Sequence, residues 1–84
     1  MDELMQRSRE CRAQLWTHIR NNRARQDLQI MLNAAERLLT ELSKEAVTCR
    51  RQRRATRRYE EIHQQAEQAL RNFEQHLLMA KLKY

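Results

Sequence analysis

The chain runs for 84 residues without one glycine or proline. Ordinary usage would place about ten such residues in a chain of this length. Hairpin turns, phosphate-cradling loops and strand bulges draw on glycine for positive φ. Without it, a β protein with many tight turns is out of reach. The positions are filled instead by Ala, Leu, Glu, Gln, Arg and Met, the residues that lose least on entering a helix. The predicted fold class is all-α.

The apolar residues show how those helices are laid out. Over residues 2–20, Leu4, Cys11, Leu15 and Ile19 share one helical face, with Met5 and Trp16 beside it. Asp2 is placed to cap that helix, and Glu3 sits where the helix dipole favours an acid. The following stretch, residues 21–26, reads NNRARQ and has almost no apolar content. Asparagine tolerates the left-handed conformation, so Asn21 or Asn22 is the expected stop, with the turn over 21–26. Asp27 is then the natural N-cap of the next helix.

Beyond Asp27, Leu28, Leu32, Ala35, Leu39, Leu42, Ala46 and Cys49 step alternately by four and three. That is a heptad seam. Ile30, Met31, Ala34 and Leu38 widen it, so this segment is expected to touch at least two neighbours. A last stripe runs through Tyr59, Ile62, Ala66, Ala69, Leu70, Phe73, Leu77, Ala80 and Tyr84, with Leu78, Met79 and Leu82 thickening its end. That end has the look of a contact surface.

Between the two stripes lies CRRQRRATRR, residues 49–58, with six arginines and no acid. On a helical wheel Arg50, Arg51, Arg53, Arg54, Arg57 and Arg58 fall within roughly 160° of one another. Cys49, Gln52, Ala55, Thr56 and Tyr59 take the opposite side. A loop has no reason to sort in this way. The sequence is therefore read as helical over 27–84, with the seam slipping by one position near Cys49–Gln52. The expected architecture is a short N-terminal helix folded against a long coiled-coil-like helix, a helical hairpin in one domain spanning 1–84. The alternatives are a three-helix bundle with a turn over 50–56, Thr56 capping the third helix, or a hairpin turning near Ser43.

Composition narrows function by exclusion. Cys11 and Cys49 are too few for a disulfide framework. Cys11 and His18 could share a face, but a structural zinc site needs four ligands, and His63 and His76 stand far off in sequence. Glu60 and Glu61 are adjacent and diverge on a helix, which makes a poor acid–base pair. No nucleophile–base spacing stands out. No enzyme, metal or cofactor is expected. No apolar run approaches bilayer length, and the opening MDELMQRSRE does not read as a signal peptide. No membrane partner is expected, and an intracellular setting is (cytoplasmic, or nuclear in a eukaryote).

A core this small is marginal by itself, so stability is expected to come in part from an oligomer or a partner. The expected function is a helical protein–protein interaction module: a small coiled-coil adaptor, assembly subunit or chaperone. It would pair with itself or with another helical protein through Leu28, Met31, Leu32, Ala35, Leu38, Leu39, Leu42, Tyr59, Ile62, Phe73 and Leu77. The alternative is a small basic nucleic-acid-binding protein. Its net charge of +6 and the arginines of 50–58 are the electrostatic footprint of such a protein, and they suit an acidic protein partner equally.

Overall fold

The computed structural model describes residues 2–83, and side chains from Glu3 onward. The expected roles of the Asp2 side chain and of Tyr84 lie outside that range. Three helices pack together, α1 (Asp2–His18), α2 (Asn22–Gln52) and α3 (Arg57–Lys83). At about 1.5 Å per residue, α2 alone accounts for the length of a rod measuring 47 × 17 × 16 Å. Helix α1 is little more than half as long and covers one end of the α2–α3 pair. Arg7 pairs with Glu74, and Lys81 donates to Gln14 Oε1 at 2.7 Å. These equal sequence offsets mean that α1 and α3 run parallel. Arg12 pairs with Glu36 across the α1–α2 seam.

The heptad seam is buried where the sequence places it from Leu28 to Ala46, and Cys49 at its end is half-buried. Leu28, Leu32, Ala35, Leu39, Leu42 and Ala46 are buried on α2, and Ile62, Ala66, Leu70, Phe73 and Leu77 on α3. From α1 come Leu4, Cys11 and Leu15, with Ser8 as the buried polar member of that face, and Ile19 just beyond its end is buried with them. Met31 and Leu38 pack at the edge of this core, whereas Ile30 and Ala34 face outward. Helix α2 touches both neighbours, so the two-sided reading of it holds in coarse form.

The expected helix over 27–84 is interrupted. Helix α2 ends in a Schellman motif, with the Arg53 N–H donating to the Arg50 carbonyl at 3.3 Å and the Arg54 N–H to the Cys49 carbonyl at 3.1 Å. Arg53 takes the left-handed conformation, φ 56° and ψ 33°, and is the one non-glycine residue with positive φ among the described residues. Thr56 then caps α3 by accepting the Tyr59 N–H at 3.1 Å, with Glu60 in the first turn. The energetic balance explains the break. A straight helix would leave the α2 and α3 stripes facing water. Folding back buries four large α3 side chains (Ile62, Leu70, Phe73 and Leu77) at about 1.5–3 kcal/mol each. Against that stands roughly 1–2 kcal/mol for one left-handed residue. Ser43 lies inside α2, its hydroxyl donating to the Leu39 carbonyl at 3.0 Å, so no turn forms there.

The first turn is shorter than expected. Helix α2 begins at Asn22 with Asn21 as its N-cap, the Asn21 side chain accepting the Ala24 N–H at 3.0 Å. Asp27 is therefore an interior residue of α2 and not its cap. Arg25 makes the early start feasible. Its guanidinium reaches back to the Ile19 carbonyl with Nε at 3.0 Å and Nη2 at 2.6 Å, satisfying the end of α1. The same guanidinium lies over the exposed Trp16 ring, 4.9 Å from its centroid. The residues read as a polar linker thus hold the first corner.

Candidate interaction surfaces

Two features lie at opposite ends of the rod. The first is the corner between α2 and α3. All six arginines of the cluster are exposed there, but they fall into three groups. Arg50 and Arg51 occupy the last turn of α2, where cations oppose the negative end of the helix dipole. Arg57 and Arg58 occupy the first turn of α3, where a cation is unfavourable, and both are matched by acids. Arg57 pairs with Glu61 at 3.3 Å, and Arg58 with Glu45 at 3.6 Å and Glu41 at 4.0 Å. Arg53 and Arg54 sit between the helices and make no ion pair among the described residues. Their side chains have no local role that the structure supplies.

Under the arginines is a small polar knot. The Thr56 hydroxyl donates to Glu45 Oε1 at 2.7 Å while it accepts from Tyr59. The Thr56 N–H points to Cys49 Sγ at 3.5 Å. Glu45 is largely covered, and it binds the corner by holding both Thr56 and Arg58. Thr56 was legible as a cap in the alternative sequence reading. Glu45 carried no signal, because its partner is eleven residues on and meets it only once the chain has turned.

The second feature is an open apolar groove of about 660 Å³ between the start of α2 and the end of α3. Its floor is Ala24, Leu28, Met31, Met79, Ala80 and Leu82, and its rim is Arg23, Asp27, His76 and Lys83. Met79 is 67% exposed and Leu82 82% exposed, with Leu78 also exposed alongside. These are the residues that thicken the last stripe in sequence. Met31 and Met79 are unbranched and polarizable, which suits a surface that adapts to what it meets.

The residues expected to face a partner helix are mostly placed inside the chain's own bundle. Leu28, Leu32, Ala35, Leu39, Leu42, Ile62, Phe73 and Leu77 are buried, and Met31, Leu38 and Tyr59 are half-buried against the same core. Of these, Leu28 and Met31 also reach the groove. Cys11 is buried, and burial pushes its thiol up to about 11, so it is a packing residue rather than a nucleophile. Cys49 is half-buried against Thr56. Among the described residues no group of His, Cys, Asp or Glu is arranged to hold a metal ion, and no helix is long and apolar enough to cross a membrane. Comparison with known family models, with curated proteins and with solved structures finds no match.

Proposed function

We propose that the chain is a non-enzymatic helical interaction module that receives a helix of a partner protein in the groove between α2 and α3. The observation that carries this reading is the groove itself: an apolar surface at the end of the bundle, lined by Leu28, Met31, Met79 and Leu82, with Met79, Leu82 and the neighbouring Leu78 exposed to water. Helix-in-groove recognition uses such a floor for anchors spaced i, i+3, i+4 and i+7. Charge favours a partner with acidic flanks over a second copy of this chain. The rim carries Arg23 and Lys83 against Asp27, and the chain as a whole is +6, so a like-charged copy is repelled.

The test uses two labelled synthetic helices with the same leucine face, one flanked by glutamates and one by lysines. The glutamate peptide is expected to bind more tightly, and Met79→Asp with Leu82→Asp to weaken it by about tenfold or more, a loss equivalent to about 1.4 kcal/mol. Neither peptide binding would end the reading. A dimer in sedimentation that the same substitutions dissolve would replace the partner with a second copy.

A second reading concerns the corner. Arg50, Arg51, Arg53 and Arg54 make no ion pair among the described residues, which leaves four cations for the phosphates of a nucleic acid. Four such contacts on duplex DNA give a slope of roughly −3 to −4 in log affinity against log salt. A slope unchanged by replacing all four with glutamine would remove the corner from any binding.

A further inference from the structure

We infer that Thr56 is a phosphoacceptor for an arginine-directed protein kinase, and that the phosphate it receives docks on the arginine corner. The inference does not depend on the groove.

Arg53 and Arg54 precede Thr56 by three and two residues. No other serine or threonine of the chain has arginine at both of those offsets. Thr40 has Arg37 at the first of them only. A kinase whose substrate cleft carries carboxylates spaced for two guanidinium groups reads this pair by charge and by forked hydrogen bonding. These are the same two arginines to which the corner assigns no structural task. Arg50 and Arg51 complement the end of α2, and Arg57 and Arg58 are matched by Glu61 and Glu45. Arg53 instead occupies a left-handed position that an arginine holds at a cost.

Backbone placement favours Thr56 as well. A kinase takes its acceptor in extended chain, and 53–56 is the non-helical link between α2 and α3. Presenting Thr56 opens the first turn of α3, where the Glu60 N–H reaches the Thr56 carbonyl at a long 3.4 Å, and releases the Thr56 hydroxyl from Glu45 and Tyr59. Helix ends open at small cost. Thr40 lies in the middle of α2, where presentation would unwind a helix interior.

In the transfer, Thr56 Oγ1 attacks the γ-phosphorus of magnesium-bound ATP. The Oγ1–P bond forms, the bond to the ADP oxygen breaks, and the hydroxyl proton passes to the catalytic base of the kinase. The product has lost the hydroxyl that donates to Glu45, so Glu45 retains only Arg58. The phosphate lies at the N-terminus of α3 with Arg53, Arg54 and Arg57 as its neighbours in sequence, and dipole and cations favour a dianion there. The Glu45 carboxylate, 2.7 Å from Thr56 Oγ1 in the unmodified chain, opposes it and must turn away toward Arg58 for the phosphate to dock. Arg53 and Arg54, which pair with no acid among the described residues, thereby gain an anion within the chain, and the corner loses part of its pull on external polyanions.

The full-length folded chain is incubated with magnesium, ATP and the catalytic subunit of a cyclic-nucleotide-dependent protein kinase, which carries such a cleft. One phosphate is expected, located by fragment masses at Thr56. Replacing Arg53 and Arg54 with glutamine lowers the initial rate by about tenfold or more. Thr56→Ala removes the modification, and Thr56→Ser, which keeps the cap, retains it. Phosphate at Thr40 or elsewhere, no phosphate, or a rate indifferent to the two arginines overturns the assignment. Docking is read by 31P titration. In the folded phosphoprotein the second ionisation falls below the ordinary value of about 6 and below that of the same phosphoprotein in urea. Equal values in the two states overturn the docking.

Discussion

Replacing Arg53 by glycine is expected to stabilise this protein, and the size of the gain follows from one dihedral pair. Arg53 sits at φ 56° and ψ 33°. For an L-residue with a Cβ, that conformation costs roughly 1–2 kcal/mol relative to the right-handed region, and glycine escapes the cost. Glycine in turn loses more freedom on folding, by about 0.4–1 kcal/mol. The net gain is about 1 kcal/mol. In a domain of this size that raises the melting temperature by about 4–8 °C.

The substitution also deletes a charge from a crowded corner, so the comparison that isolates the backbone is with Arg53→Ala. Alanine removes the same guanidinium but keeps the Cβ. Arg53→Gly is therefore expected to melt about 4–8 °C above Arg53→Ala, in matched thermal and urea titrations with unchanged slope in urea. If residue 53 were instead inside a continuous helix, the order would invert, because glycine is about 1 kcal/mol worse than alanine there. A glycine variant that melts at or below the alanine variant refutes the turn at Arg53 and the reasoning built on it.

The same corner makes Ala55→Pro tolerable: Ala55 lies outside both helices, so circular-dichroism melts are expected to show a loss well short of the roughly 3 kcal/mol that proline exacts from a helix interior. Phe73→Ala acts at the centre of the core, where Phe73 is fully buried; a cost of about 3–5 kcal/mol is a large part of the roughly 4–13 kcal/mol available to a chain this long, and the urea midpoint is expected to fall steeply or the variant to be unfolded in buffer. Removing Arg25 by Arg25→Ala leaves the Ile19 carbonyl without its side-chain partner and uncovers Trp16, so the emission of this single tryptophan is expected to change while the melt falls by about 1–2 kcal/mol. For Cys11 the sign of the pH dependence is fixed by burial, which raises the folded thiol from 9.0 to about 11. The unfolded thiol ionises first, so this contribution is intact below about pH 8.5 and is lost as the pH climbs toward 11. The difference in stability between the parent and Cys11→Ala is expected to shrink across that window, and a difference that stays constant refutes the assignment.

Periodicity carried most of the helix assignment. Positions 28, 32, 35, 39, 42 and 46 form a seam in sequence and are buried in the fold, and the last stripe from Ile62 to Leu77 behaves alike. Such patterns survive because the hydrophobic term that orders them is the one that folds the chain. Turns were harder to place, since a chain without glycine marks them with ordinary residues. The left-handed stop expected at Asn21 or Asn22 does not form: α1 ends at His18, and Asn21, extended at φ −68° and ψ 119°, caps α2. Asp27, an equal cap by propensity, is bypassed because Asn21 already caps α2 and Arg25 satisfies the carbonyl end of α1. That bond joins residues 25 and 19 across a turn, so no helical period reports it.

The arginine wheel shows how a sound periodic pattern can mislead about continuity. Its sorting was real, and the six side chains do face water. A wheel registers only angle, however, and two antiparallel helices that each turn a wet face outward at their shared corner reproduce the sorting of one long helix. The discriminating signal lay in the acids. Glu60 and Glu61 follow Thr56 at the spacing of a first helical turn, and in the fold Glu61 meets Arg57 there. An i, i+4 pair such as Arg57–Glu61 serves a continuous helix as well, but a helix beginning at Arg57 also needs a cap at Thr56 and acids to offset two cations at its positive end. Charge, read by helix end rather than by face, is what separates a basic stripe from a basic corner. It also singles out Arg53 and Arg54 as the pair whose presence stability does not explain.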